Sequence, residues 1–82
     1  MTEKQLAQAI YQKYSSRLRN FISQKVSQPQ EAEEVFQETA LAALESFSFF
    51  KGKSSLFTWL CAIARHEVFD YYRKKKIKKI LF

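Results

Sequence analysis

Turn-forming residues are nearly absent from this chain: Pro29 and Gly52 are its single proline and single glycine in 82 residues. With so few places to reverse direction, the chain needs long regular elements, and the two residues divide it into three. No alternating Val/Ile/Thr run and no Asn-Gly turn offers a strand. Apolar residues recur instead at steps of three and four, the period of a helix with one buried face. The expectation is an all-α fold, a compact three-helix domain spanning residues 1–82. A hydrophobic content of 46% supports a modest core without metal or disulfide. Cys61 is alone, which excludes an intramolecular disulfide and a cysteine-rich zinc site, and reads as a plain buried thiol.

The first helix is expected from about Glu3 to Val26, with Ile10, Tyr14, Leu18 and Phe21 on its buried face and Leu6, Tyr11 and Ile22 at the edges. Its basic residues Lys4, Lys13, Arg17, Arg19 and Lys25 are scattered and read as a solvated surface. Pro29 suits the first position of a second helix, and Glu31, Glu33 and Glu34 complement the positive end of its dipole. This helix, running to about Phe47, has a buried stripe of mostly small residues: Ala32, Val35, Phe36, Thr39, Ala40, Ala43 and Phe47. Its other face carries Glu34, Gln37, Glu38, Leu41, Leu44 and Glu45. Leucines ringed by acids suggest a protein-binding patch whose partner is basic with an apolar cleft.

The connection SFSFFKGKSS joins the second helix to the third. Phe47, Phe49 and Phe50 are expected to plug the junction of the helices. Lys51, Lys53, Ser54 and Ser55 surround Gly52 and a helix start, a suitable pocket for a phosphate or an extruded base. The third helix buries Leu56, Leu60, Ile63, Ala64, Val68 and Tyr71. Glu67 falls near the middle of that stripe and requires a basic or hydroxyl partner. Thr58, Trp59, Ala62, Arg65, His66, Phe69 and Arg73 lie opposite, mixing rings with cations, as a surface for single-stranded nucleic acid does. The run Arg73, Lys74, Lys75, Lys76, Lys78, Lys79 continues that face.

Net charge is +6, unevenly distributed. Residues 1–27 carry five basic groups and one acid, residues 28–50 five acids and no base, and residues 51–82 nine bases and two acids. An acidic band between two basic ones suggests two partners of opposite charge. His66 is the single histidine, and with no second His, Cys pair or clustered carboxylates beside it neither metal, cofactor nor general-base catalysis is expected. No signal-peptide core and no segment of membrane-spanning length occurs, so a cytoplasmic protein without membrane insertion is expected.

At this point the chain resembles region 2 of the sigma-70 family of bacterial RNA polymerase sigma factors, closest to the extracytoplasmic-function (ECF) group. Three blocks carry the likeness: YQKYSSRLRNFI, QPQEAEEVFQETALAAL and FKGKSSLFTWLCAIARHEVFDYYRKKK. The resemblance implies that the second helix docks on the clamp helices of the polymerase β′ subunit, with Gln37 and Glu38 at the family's Gln-Glu pair, Glu34 and Leu41 beside them, and Glu45 on the same face. It implies that the loop and third helix read the non-template strand of promoter DNA at the minus-ten element through Lys51, Lys53, Ser54, Ser55, Trp59, Arg65, His66 and Arg73; the charge of the basic run, with Lys74 and Lys75, is expected to add phosphate contacts. An anti-sigma factor is a further partner of many ECF members. His66 stands where many members have Asn, and Gln28 where many have Asp. Nothing resembles the family's second DNA-binding domain, region 4.

The expected function is thus a non-enzymatic transcription initiation domain. Two alternatives use the same residues differently. One is a polymerase-independent helical module for single-stranded nucleic acid. The other is a membrane-surface protein held by the basic tail with Ile80, Leu81 and Phe82.

Overall fold

A computed structural model describes residues 1–81; Phe82, grouped above with the terminal apolar residues, lies outside them. The elements are α1 (Glu3–Gln8), a π-helical turn (Ala9–Lys13), α2 (Ser15–Ser23), α3 (Pro29–Ser46), a 3-10 turn (Phe47–Phe49) and α4 (Leu56–Leu81). The fold is all-helical as expected, but the first of the three anticipated helices is two.

That break has a cause in the packing. The buried residues of this segment are Leu6, Ile10, Leu18, Ile22 and Val26, spaced by four or multiples of four. Four residues of α-helix overshoot a turn by about 40°, so an unbroken helix would carry such a seam round to solvent. A wider turn, closed by the Tyr14 N–H donating to the Ala9 carbonyl at 2.8 Å, takes up the drift. The expected face therefore shifts: Ile22 is fully buried, Tyr14 and Phe21 sit half-buried at the margin, and Tyr11 is 43% exposed. At the start of α1 a capping box is formed, with the Gln5 N–H donating to the Thr2 side chain and the Thr2 N–H to the Gln5 side chain.

α3 lies between α2 and α4 and packs most extensively on α4, while α2 also meets α4, which makes the section of the bundle triangular. Its inner stripe is Ala32, Val35, Phe36, Thr39, Ala40 and Ala43, all buried. Small side chains on this stripe let both neighbours approach, and Phe36 fills the centre. The Thr39 hydroxyl is the one buried polar side chain among the described residues, and it donates to the Val35 carbonyl at 2.7 Å. From α4 come Leu60, Ala64 and Val68, with Leu56, Ile63 and Tyr71 half-buried beside them. Leu44, expected on the open face of the second helix, instead packs half-buried on the core. Phe47 and Phe50 are half-buried as expected of a junction plug, but Phe49 is 75% exposed.

Surface contacts fasten both neighbouring helices to the start of α3. Arg19 makes a bidentate pair with Glu33, its Nε and Nη2 each at 2.9 Å. Arg19 also lies 4.0 Å over the Phe36 ring, so the guanidinium seals the core on one side while pairing on the other. The hydrogen bonds from Arg19 hold the Glu33 carboxyl below its ordinary range. From the α4 side, the Tyr71 hydroxyl donates to Glu31, and the Tyr72 hydroxyl to the Lys25 carbonyl. α4 runs 26 residues, which sets the 44 Å long dimension of the molecule, and it remains helical through the basic run. No helix among the described residues is long and apolar enough to cross a membrane.

Gln28 has the extended backbone of an N-cap, yet its side chain makes no capping hydrogen bond to the first turn of α3. A shorter acceptor would reach it. Gln28→Asp should therefore raise unfolding free energy by about 0.5–1 kcal/mol, as a higher urea midpoint with unchanged slope.

Candidate nucleic-acid and partner-binding faces

The loop before α4 presents Lys51, Lys53 and Ser54 to solvent around Gly52, whose φ of 71° is one that side-chain-bearing residues rarely adopt. Ser55 has a different task. Its hydroxyl oxygen accepts from the Thr58 N–H at 3.1 Å and the hydroxyl donates to Thr58 Oγ1 at 2.9 Å, so it caps α4. Ser54 donates to the Ser55 carbonyl and stays exposed.

On α4, Arg65, His66, Phe69 and Arg73 are exposed, as the helical period required. Asp70 organises two of them, with Oδ2 at 3.7 Å from His66 Nε2 and Oδ1 at 3.2 Å from Arg73. Trp59 departs from the expected open face. It is half-buried, with its ring 4.9 Å from Phe50 and 6.3 Å from Phe47. The reason is the 3-10 turn, which folds those rings back over the first turns of α4, where an indole gains more from their contact than from water. The exposed rings near this side are therefore Phe49 and Phe69, at 75% and 67%, with Tyr72 at 47% beside Phe69.

The basic run divides. Lys74 is exposed and unpaired among the described residues, whereas Lys75 turns toward the start of α3, its Nζ 3.8 Å from Glu31 and 3.3 Å from the Tyr71 hydroxyl. Lys75 thus acts as a fastening between helices. The periodicity of α4 could not reveal this, because the partner carboxylate lies 44 residues earlier in sequence.

The outer face of α3 exposes Glu34, Gln37, Glu38, Leu41 and Glu45, with Leu41 half open at 51%. None of Glu34, Glu38 and Glu45 has an ion-pair partner among the described residues. Gln37 is oriented by its neighbours: its carbonyl oxygen accepts from the Tyr11 hydroxyl at 2.7 Å, and its amide donates to Glu33 at 3.0 Å. Sequence reasoning missed Tyr11, Arg19 and Glu33 here. The Glu33 and Gln37 spacing of four was a visible signal, but Tyr11 reaches them only because the π turn rotates it outward.

Glu67 lies half-buried in the groove between α3 and α4, near Ala42, Ile63 and Trp59. The basic or hydroxyl partner expected for it is absent among the described residues. Burial, Asp70 and Glu38 push its carboxyl above the ordinary range, against the opposing pull of His66 and Lys74. Cys61 is half-buried, and burial likewise raises its thiol. No three His, Cys, Asp or Glu side chains among the described residues are grouped to hold a metal ion.

Two faces thus carry unneutralised charge of opposite sign: acids around Leu41 on α3, and cations with rings on the loop and α4. Comparison with known proteins gives this division a family. The family model described as Sigma-70 region 2 matches residues 10–77. The ECF RNA polymerase sigma factor SigX of Bacillus subtilis is 36% identical over 69 residues, which cover 84% of this chain and 36% of SigX. The RNA polymerase sigma factor YlaC of the same organism is 28% identical over 74 residues, 90% of this chain and 43% of YlaC. A probable RNA polymerase sigma-C factor of Mycobacterium bovis is 48% identical over 42 residues, 51% of this chain and 23% of that protein. The match thus spans less than half the length of these relatives, and no solved structure matches the chain significantly. A match from the π turn through the basic run, in an all-helical domain, means that this chain belongs to the sigma-70 region 2 family and is of the ECF type.

Proposed function

We propose that this chain is the domain by which an ECF sigma factor docks on core RNA polymerase and engages the minus-ten promoter element. The observation that carries the reading is the separation of unpaired charge onto two faces in a member of this family. On α3, Leu41 is the apolar contact, Glu34, Glu38 and Glu45 face a basic partner surface, and Gln37 enters already oriented by Tyr11 and Glu33. The partner is the pair of clamp helices of the β′ subunit. An anti-sigma factor would compete for the same face.

Promoter DNA lies on the loop and α4. Lys51, Lys53 and Ser54 receive phosphates or an extruded base, and Arg65, His66 and Arg73 contact the non-template strand. Lys74 adds sequence-independent affinity that falls with salt. Extruding a base costs a few kcal/mol, and each base stacked on an aromatic ring returns about 1–3 kcal/mol. Phe49 and Phe69 offer that surface, with Trp59 supporting it from behind. The domain opens strands by binding and catalyses no reaction, and it acts in the cytoplasm where polymerase and DNA are found.

Capture of purified bacterial core RNA polymerase tests the docking face. The wild-type chain should retain polymerase, and a Glu38→Lys, Leu41→Asp variant with unchanged helical circular dichroism should lose it by at least about tenfold, since hot-spot losses reach 2 kcal/mol and more. If neither retains polymerase while both bind single-stranded DNA, the polymerase-independent module becomes the better account.

Glu67 gives a second test through pH. Its folded-state pKa lies above the unfolded value, so the ionised form opposes folding, and the penalty fades as pH falls through the folded pKa. Glu67→Gln should raise the urea midpoint at neutral pH, with the difference closing below about pH 4 where the unfolded carboxyl also protonates.

A further inference from the structure

The basic residues of the first segment, scattered in sequence, are not scattered in space. Arg19 is neutralised by Glu33. Arg17 and Lys25 instead turn toward α4, and each rests on an aromatic ring: Arg17 lies 4.0 Å over Phe57, and Lys25 lies 4.0 Å over Phe21. Arg65 of α4 approaches the same Phe21 ring at 5.8 Å. All three cations lie close enough to Cys61 to act on its thiol. None of them has a carboxylate partner among the described residues, although the chain carries eight acids. Three like charges set around two rings with no carboxylate beside them leave positive potential on this side, which an anion such as phosphate would find favourable.

The cluster is also continuous with the exposed side of α4. The Tyr72 hydroxyl donates to the Lys25 carbonyl, and Tyr72 lines a shallow pocket with Phe69, Arg73 and Lys76. Arg17 lies on α2 and Lys25 in the turn directly after its C-cap Gln24, eight residues on, roughly 12 Å at the helical rise. That is about three to four nucleotide steps of one DNA strand at 3.4 Å each. Held on rings, the two side chains lose less freedom on binding than solvated ones would.

We infer that Arg17 of α2 and Lys25 of the turn that follows it, together with Arg65 of α4, form a phosphate-binding track that carries the DNA strand from the α4 face onto α2. This rests on the proposal that α4 is the DNA face and extends it to a helix that neither its sequence nor its family membership marked. The ligand is the sugar-phosphate backbone, so the track adds affinity and register without reading bases.

The test is the salt dependence of binding, by the full chain, of a short fluorescent single-stranded DNA. In an Arg17→Met, Lys25→Met variant the alkyl stems still cover Phe57 and Phe21 while both charges are removed. The slope of log affinity against log salt should become shallower by about 1.4, two contacts at about 0.7 each, with affinity about 25-fold lower at 0.1 M salt. An Arg17→Lys, Lys25→Arg exchange preserves charge and should retain the wild-type slope. That separates loss of phosphate contacts from damage to the fold. An unchanged slope in the methionine variant overturns the inference. An Arg65→Met, Arg73→Met pair distinguishes the levels of failure: if it weakens binding and the α2 pair does not, only the track is wrong, and if neither does, the DNA face on α4 is wrong as well. Vesicles of anionic phospholipid provide the remaining arm. Vesicle binding that depends on Arg17 and Lys25 while the DNA slope does not would overturn the inference in favour of a lipid surface.

Discussion

Everything in this domain depends on how closely α3 can be approached from two sides at once. Its inner stripe has Ala32, Ala40 and Ala43 at positions where larger residues would hold the neighbouring helices apart, with Phe36 as the one large side chain at the centre. Burying a side chain of that size is worth about 1.5–3 kcal/mol, a substantial part of the stability of so small a domain. Because the stripes of α2, α3 and α4 are all turned inward to make this contact, only the outer faces remain for partners. Segments of opposite charge in the sequence thereby become faces of opposite charge in the fold.

The parts of this arrangement legible in the sequence are those governed by period alone. Every expected core residue of α3 from Ala32 to Ala43 is buried, and the open side of α4 holds Arg65, His66, Phe69 and Arg73 as its spacing required. Period fails where rotation or reach decides. The π turn re-aims Tyr11, Tyr14 and Phe21, and no single residue in AIYQK announces it; the signal was the seam of fours from Leu6 to Val26. Trp59 was placed on the open face by angle, but angle says nothing of what folds over a face, and here Phe50 covers it. Lys75 failed similarly, because its Glu31 partner comes from the start of a different helix.

Pairing, not position, separates structural from available charge. Arg19 and Lys75 each lie near a carboxylate of another helix, at 2.9 and 3.8 Å, whereas Arg73 meets only Asp70 of its own helix and stays exposed. The Arg19 pair is bidentate and hydrogen-bonded onward through Gln37 to Tyr11, so one ionic contact also sets the orientation of an amide on the proposed docking face. Arg17, Lys25 and Arg65 have rings in place of carboxylates. A ring orients a cation without neutralising it, which leaves its charge available to phosphate.

Geometry then explains how one small domain can hold two oppositely charged partners. The bundle is 20 to 23 Å across its short dimensions, and in a triangular section the outer face of α3 lies opposite the α2–α4 edge. Across that width, more than two Debye lengths of about 8 Å at physiological salt, the field of the acids is largely screened before it reaches Arg17, Lys25 and Arg65, whereas in the α3–α4 groove Glu45 and His66 line one pocket and the two faces meet. Within one face the screening is weaker, because Glu34, Glu38 and Glu45 follow one another at steps of about 6 to 10 Å along the helix and together repel phosphate. DNA is thereby directed away from α3, and a basic protein surface away from α4. The placement of α3 between its neighbours, required first by the core, is what keeps these two attractions apart.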